Sequence, residues 1–173
     1  NKDTQSMTEE ELMTIVEEAE EDGGIDEHEG ELIRSAIEFN DVSVQDILTH
    51  RVALIAIDDE MSNEEIKEVF LNNGLSRLPV YKDTIDHIIG VLHEKDFMAF
   101  LNKGGTDYHS VIQQVLFIPE NMKISNLLRS LQKSKTHLAV VVDEFGGTAG
   151  IVTMEDILEE LVGEIWDEHD EVV

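Results

Sequence analysis

The sequence contains no cysteine, which excludes disulfides and thiolate metal sites and fits a reducing compartment. Long apolar runs are missing as well. The longest are Val52 to Ile57 and Leu138 to Val142, far short of the roughly 18 residues that a membrane-spanning helix needs. No leader pattern opens the chain. Basic residues are scarce: 12 Lys and Arg stand against 39 Asp and Glu, a formal net charge of −27. Nucleic-acid binding runs on neutralising phosphates with Lys and Arg, so this chain repels nucleic acid, and it repels anionic membrane surfaces too. A phosphate-bearing ligand would have to be met by a local basic group, a helix N-terminus or an accompanying divalent cation. Catalytic constellations are absent in turn. There is no nucleophile–base pair, glycine-rich phosphate loop or paired-carboxylate pattern, so the sequence reads as a binding module and not as an enzyme.

What is present is enough apolar material, 41% of 173 residues, for one compact domain or two small ones sharing a core. The first residue is Asn and not Met, so the chain reads as a piece of a longer protein. Residues 1–45 form an acidic helical lead-in. Thr8 to Glu11 has the pattern of a capping box, and Leu12, Ile15, Val16 and Ala19 follow at helical spacing. Asp22-Gly23-Gly24 stops that helix, and a second is expected from Glu27 to Phe39 on Leu32, Ile33, Ala36 and Ile37. With no Lys or Arg between Glu9 and Glu31, the expectation is a solvated acidic hairpin acting as a linker. Two metal motifs fail here. A calcium loop starting at Asp22 would need Gly where Glu27 stands and Glu where Ile33 stands. A zinc helix starting at His28 lacks its second His. His87, His109, His137 and His169 are scattered without ligand spacing, so no metal site is assigned. Asp167, Glu168 and Asp170 read as a solvated acidic exit.

From about residue 46 the chain repeats itself. Leu78 matches Leu138, Val80 matches Val140, Gly90 matches Gly150 and Asp96 matches Asp156, each pair 60 positions apart. Ile57 with Ile118 and Met61 with Met122 continue the match at 61. Each copy reads strand, helix, strand, strand, helix. In the first, Val52–Ile57 is a strand, Ser62 to Glu65 caps a helix, and strands at 78–81 and 88–92 precede a helix from Glu94. The second has strands at 116–118, 138–142 and 149–152, with helices on Ile124, Leu127 and Leu131 and from Met154 to Val162. A unit of about 50 residues is too small to cover its own sheet. Two copies, residues 46–104 and 105–165, should therefore pack sheet to sheet about a pseudo-twofold axis, with 166–173 as an exit linker. The fold class is α/β, built as two β-α-β-β-α repeats.

Each copy closes on one motif, Gly90-Val91-Leu92-His93-Glu94-Lys95-Asp96 and Gly150-Ile151-Val152-Thr153-Met154-Glu155-Asp156. Thr153 with Asp156 is a common helix start and needs no function. Alternatively, hydroxyl and carboxylate face a cleft at the strand ends, where a carboxylate can accept both ribose hydroxyls and the helix N-terminus favours a phosphate.

These motifs resemble a tandem cystathionine-β-synthase (CBS) domain pair. More narrowly, Ser76-Arg77-Leu78-Pro79-Val80-Tyr81, Ile85 to Gly90 and the long run His137 to Asp156 are similar to the cytoplasmic region of the CorC/HlyC-like and CNNM family of membrane magnesium and cobalt transporters. The lead-in resembles the segment that joins the transmembrane domain to the CBS pair. The resemblance implies adenine-nucleotide binding, AMP or ATP, between the repeats, with magnesium accompanying ATP. It also implies a homodimer formed through the pair, a transmembrane domain elsewhere in the protein, and a place at the cytoplasmic face of the membrane. Carried over residue by residue, it implies ribose contacts at Thr153 and Asp156 and base contacts at Ile151 and Met154. Thr49, Val52, Leu78 and Pro79 are implied at the adenine. Arg77 is the candidate for phosphate, or else one half of a surface ion pair worth at most about 1 kcal/mol. The sequence departs from the family pattern at His93, where a Ser or Thr is usual, and at His50, where a Pro is usual. One good nucleotide site per chain is therefore expected, on Thr153 and Asp156. The other reading is a structural dimerisation module that binds no nucleotide.

Overall fold

The structure, a computed structural model, describes residues 8–167. Local chemistry sets most element ends. Helix α1 (Glu9–Glu21) starts where the Thr8 hydroxyl accepts from the Glu11 amide, and α2 (Glu27–Phe39) starts on an Asp26/Glu29 capping box. A short α3 (Val44–Ile47) leads into β1 (Thr49–His50) and a 3-10 turn at Arg51–Ala53. The first repeat then comprises β2 (Ile57–Asp58), α4 (Asn63–Asn73), β3 (Arg77–Tyr81), β4 (Ile88–His93) and α5 (Glu94–Asn102). Ser62 and Glu65 box the start of α4, and Gly74 ends it in the left-handed region at φ 61°. After a 3-10 turn at Tyr108–Val111, the second repeat has β5 (Leu116–Pro119), α6 (Ile124–Ser134), β6 (Leu138–Val142), β7 (Thr148–Thr153) and α7 (Met154–Asp167). The expected exit segment at 166–173 falls almost entirely outside the described residues.

The two copies have the same topology. β2 runs parallel to β3 and β3 antiparallel to β4; likewise β5 runs parallel to β6 and β6 antiparallel to β7. Each sheet lays one face on its own helices. Ile57, Ile66, Phe70, Leu78, Leu92 and Phe97 fill the first core. Ile118, Ile124, Leu127, Leu131, Val141, Val152 and Ile157 fill the second. The opposite faces meet each other through Ile88, Val91, Leu138 and Val140, with Leu54, Tyr81 and Ile151 packed around them. Each fully buried side chain of this kind contributes about 1.5–3 kcal/mol of transfer free energy, and leaving either sheet alone would expose that third cluster.

The repeats also exchange strands. β1 lies in the second repeat's sheet, pairing Thr49 with Ile151 and His50 with Gly150, and Val44 and Leu48 enter the second core. Reciprocally, Gln113 bridges to Val91 of β4, while Tyr108, Val111 and Ile112 pack in the first core. Residues 46–50, counted with the first repeat by sequence, are thus part of the second repeat's sheet and core. This exchange explains why Val52–Ile57 is not the continuous strand expected. The segment must leave one sheet and join the other, so it turns at 51–53 and only Ile57–Asp58 pairs as strand. Close crossing needs glycine. A Cβ at Gly150 would collide with the Thr49 carbonyl oxygen and Leu48, and one at Gly90 would meet Ile112 and the Gln113 carbonyl oxygen.

The lead-in is less solvated than expected. α2 packs along α7, and Phe39 is buried in the second core, while Arg34 and Glu20 pair at 2.9 Å between α2 and α1. The helices are held through Val16, Ser35 and Phe39, whereas Ile15, Leu32, Ile33 and Ala36 of the expected apolar stripes stay exposed. Among the described residues, no helix is long and apolar enough to cross a membrane, and no group of three or more His, Asp or Glu is gathered to hold a metal ion.

Candidate functional site

A cleft of about 420 Å³ opens where β3 and β6 begin and β7 ends, between the two repeats. That size is typical of small-molecule sites. Its apolar walls come from Ala53, Leu54 and Ile55 of the crossing segment, Leu75 and Pro79 of the first repeat, and Leu138 and Ile151 of the second. Its polar groups are Thr49, Ser76, Arg77, Thr153, Glu155 and Asp156.

The floor is the start of α7. The Thr153 amide donates to Asp156 Oδ2 at 2.9 Å, and the Asp156 amide donates to Thr153 Oγ1 at 3.1 Å, a complete capping box. The capping role of the motif is therefore real. It leaves each side chain with unused capacity, the hydroxyl proton of Thr153 and the second carboxylate oxygen of Asp156. The strand-to-helix passage that makes the cap also puts both groups at the cleft, so one local geometry serves both purposes.

Arg77 stands across from them on β3. Its Nη2 pairs with Glu155 Oε2 at 2.9 Å, with side chains 20% and 59% exposed. Among the described residues its Nε is the one buried side-chain nitrogen or oxygen without a hydrogen-bond partner. Leaving a buried donor unmatched is costly, and the Glu155 ion pair, made through Nη2, leaves this one unmatched. Burial pushes the Glu155 carboxyl up, but its own backbone amide and the Arg77 guanidinium outweigh burial and hold it below the usual range.

Of the nine residues singled out from sequence, Thr49, Arg77, Pro79, Ile151, Thr153 and Asp156 line this cleft. The other three do not. Val52, 93% exposed, sits outward on the 3-10 turn. Leu78 is fully buried in the first core, because alternate residues of β3 face opposite ways and Arg77 and Pro79 take the cleft side. Met154 packs with Ile157 and Leu161 on the core side of α7. That helical spacing was available in the sequence and would have placed Met154 correctly. Glu155 was the omission with the clearest signal, lying between the two candidates on the first turn of α7. Leu54 and Ile55 had none, since they reach the cleft only through the strand exchange, whereas Leu75 lies just ahead of the Arg77 strand.

The first repeat's counterpart of this site is built differently. His93 precedes α5 without any side-chain cap bond, and the Asp96 carboxylate accepts from Gln113 Nε2 at 2.8 Å.

The CBS domain family matches residues 44–103 and 107–163. The chain belongs to that family, as a tandem CBS domain pair. Among its relatives, Hemolysin C of Brachyspira hyodysenteriae is 40% identical over 84% of this chain and 54% of its own. The magnesium and cobalt efflux protein CorC of Pasteurella multocida is 33% identical over 94% and 55%. The chain thus spans about half the length of these relatives. Among solved structures, the CBS domain of a bacterial CNNM/CorC family Mg2+ transporter superposes with a TM-score of 0.79 at 43% identity, covering 91% of this chain and 98% of that one. A structure of such a domain in complex with ATP has a TM-score of 0.70 at 43% identity, covering 78% and 97%. A CBS-domain pair with bound AMP from Klebsiella pneumoniae has 0.62 at 31%, covering 70% and 99%.

Proposed function

We propose that this chain is the adenine-nucleotide-binding regulatory module of a membrane divalent-cation transporter of the magnesium and cobalt type. The observation that carries the reading is the cleft between the repeats, where the Thr153–Asp156 cap faces the incompletely satisfied Arg77. Asp156 and Thr153 take the ribose hydroxyls, Ile151 and Pro79 flank the base with the Thr49 segment, and Arg77 takes phosphate. The ATP- and AMP-bound structures of similar domains support this ligand class. With a net charge of −27, the surroundings disfavour a bare triphosphate, so ATP enters as its magnesium complex, whereas AMP needs no metal. Both repeats contribute walls to the cleft, so an occupied cleft stabilises one arrangement of the pair. Through a homodimer of such modules on the cytoplasmic face, it shifts the population of an attached transmembrane domain. The shift is limited by the ligand's differential affinity for the two states. No chemical step is assigned.

The test is thermal denaturation with AMP, ADP and ATP, each with and without magnesium, on the wild type and on Asp156→Ala. Ligand at about 100 times its dissociation constant adds roughly 2.7 kcal/mol, or about 5–10 °C in Tm for a chain of this size. A rise that disappears in Asp156→Ala supports the reading. No rise with any nucleotide, in protein verified to start free of ligand, overturns it in favour of a structural dimerisation module.

A further inference from the structure

The internal repeat brings two imidazoles up behind Arg77 and Glu155, next to the residues that line the cleft. His137 is the second repeat's counterpart of Arg77, and His93 is the first repeat's counterpart of Thr153, each 60 positions away. Strand register brings these positions together. Arg77 pairs with His93 across β3 and β4, and Leu138 pairs with Thr153 across β6 and β7, while the His137 carbonyl accepts from the Met154 amide at 2.8 Å. The two imidazoles meet edge to face, ring centroids 6.4 Å apart. A guanidinium and two imidazoles are thereby gathered at one place in a chain with only 12 Lys and Arg, and the arginine still has a buried donor unmatched.

Resting on the nucleotide reading above, we propose that His93 and His137 form the far end of the phosphate seat that begins at Arg77. A nucleotide carrying a chain of phosphates then binds more tightly as pH falls, and a monophosphate, which stops at Arg77, gains far less. The step is proton uptake from solvent by the neutral His93 ring, whose imidazolium then donates to a phosphate oxygen.

The groups around His93 set the direction. Burial comes first and Arg77 on β3 second in holding it below the usual imidazole range, and His137 adds to them. Asp96 on α5 and Glu155 on α7 oppose them. Asp96 is engaged by Gln113 and Glu155 by Arg77. In the free protein His93 is therefore mainly neutral at neutral pH, and only a new anion nearby, such as the outer phosphates of a nucleotide, reverses that preference.

Titration calorimetry at about pH 6 and about pH 8, on the wild type and on His93→Gln with His137→Gln, tests this with ATP at fixed magnesium and with AMP. Ligand phosphates titrate in the same range, but identically for both proteins, so the wild-type-to-variant difference isolates the imidazoles. The expected result is that ATP affinity rises about three- to tenfold more in the wild type than in the variant between the two pH values, with no such difference for AMP. Equal pH profiles for ATP in both proteins overturn the proposal while leaving nucleotide binding intact. Failure of both nucleotides to bind either protein at either pH overturns the nucleotide reading itself. Should the variant melt early, the His93 ring resonances of the wild type report the same linkage. An upward move of their titration with ATP but not with adenosine supports the proposal, and an unmoved titration sinks it.

Discussion

The two repeats share a topology and a closing motif, yet they use the motif in different ways. In the second repeat, Thr153 and Asp156 satisfy each other through the backbone and stay at the cleft. In the first, His93 makes no cap bond, and Asp96 turns to Gln113, which arrives from the exchanged segment. A hydroxyl is small and can accept from one group while donating to another. An imidazole at the same position takes up more space and frees the carboxylate three residues on to find a partner elsewhere. The scaffold is the same in both copies, and one side chain separates a closed capping box from a carboxylate held by another segment.

Gly150→Ala should produce the largest effect separating the repeats, because the added Cβ meets the Thr49 backbone carbonyl, which cannot move without unpairing β1 from β7. A loss of about 3 kcal/mol, or about 6–12 °C in Tm, is expected by calorimetry. Gly90→Ala should cost somewhat less, since its nearest obstacle is the movable tip of the Ile112 side chain and the backbone oxygen it also meets, that of Gln113, stands further off at 2.5 Å. Equal losses would show that the two crossings are energetically alike.

The next effect is on ligand affinity. On the proposed ribose contact, Asp156→Ala removes a charge-assisted pair of hydrogen bonds worth about 1.5–3 kcal/mol and should weaken nucleotide binding roughly 10- to 100-fold by titration calorimetry. Asp96→Ala, with its carboxylate already held by Gln113, should change affinity by less than about threefold. A comparable loss in both would mean that the first repeat also holds nucleotide.

A smaller effect is expected from His93→Thr, which restores a hydroxyl cap to α5. A gain of about 0.5–1 kcal/mol, about 2–3 °C in Tm, is the outcome to look for. No gain would show that Gln113, by occupying Asp96, prevents a capping box from closing.

The last contrast concerns pH. Asp86, on the β3–β4 loop of the first repeat, accepts from the Thr148 amide of β7 at 3.0 Å and from Arg51. The Thr148 amide first, and Arg51 second, hold its carboxyl below the usual range. A depressed folded pKa stabilises the fold above the unfolded value of about 3.9. That contribution is lost as pH falls through the folded value. The stability difference between wild type and Asp86→Asn, read by denaturant melts, should accordingly be constant near neutrality and shrink only in acid. A difference independent of pH would remove the charge on Asp86 from the account.

The sequence alone determined the repeat, the order of the main elements within each copy, and many of the element ends. Those are local matters: alternation or helical spacing of apolar residues, caps at Thr8 and Ser62, and a stop at Asp22 to Gly24. It also marked Thr153, Asp156 and Arg77 as worth attention, although a plain helix cap and a surface ion pair explain the same residues. Tertiary structure alone decided the rest. The passage of residues 44–50 into the second repeat, and of 108–113 into the first, depends on contacts between segments distant in the chain. No local pattern encodes such contacts, because the same apolar run satisfies either sheet. That exchange turned Val52 outward and brought Leu54 and Ile55 to the cleft. It also gave Asp96 a partner that its counterpart does not have.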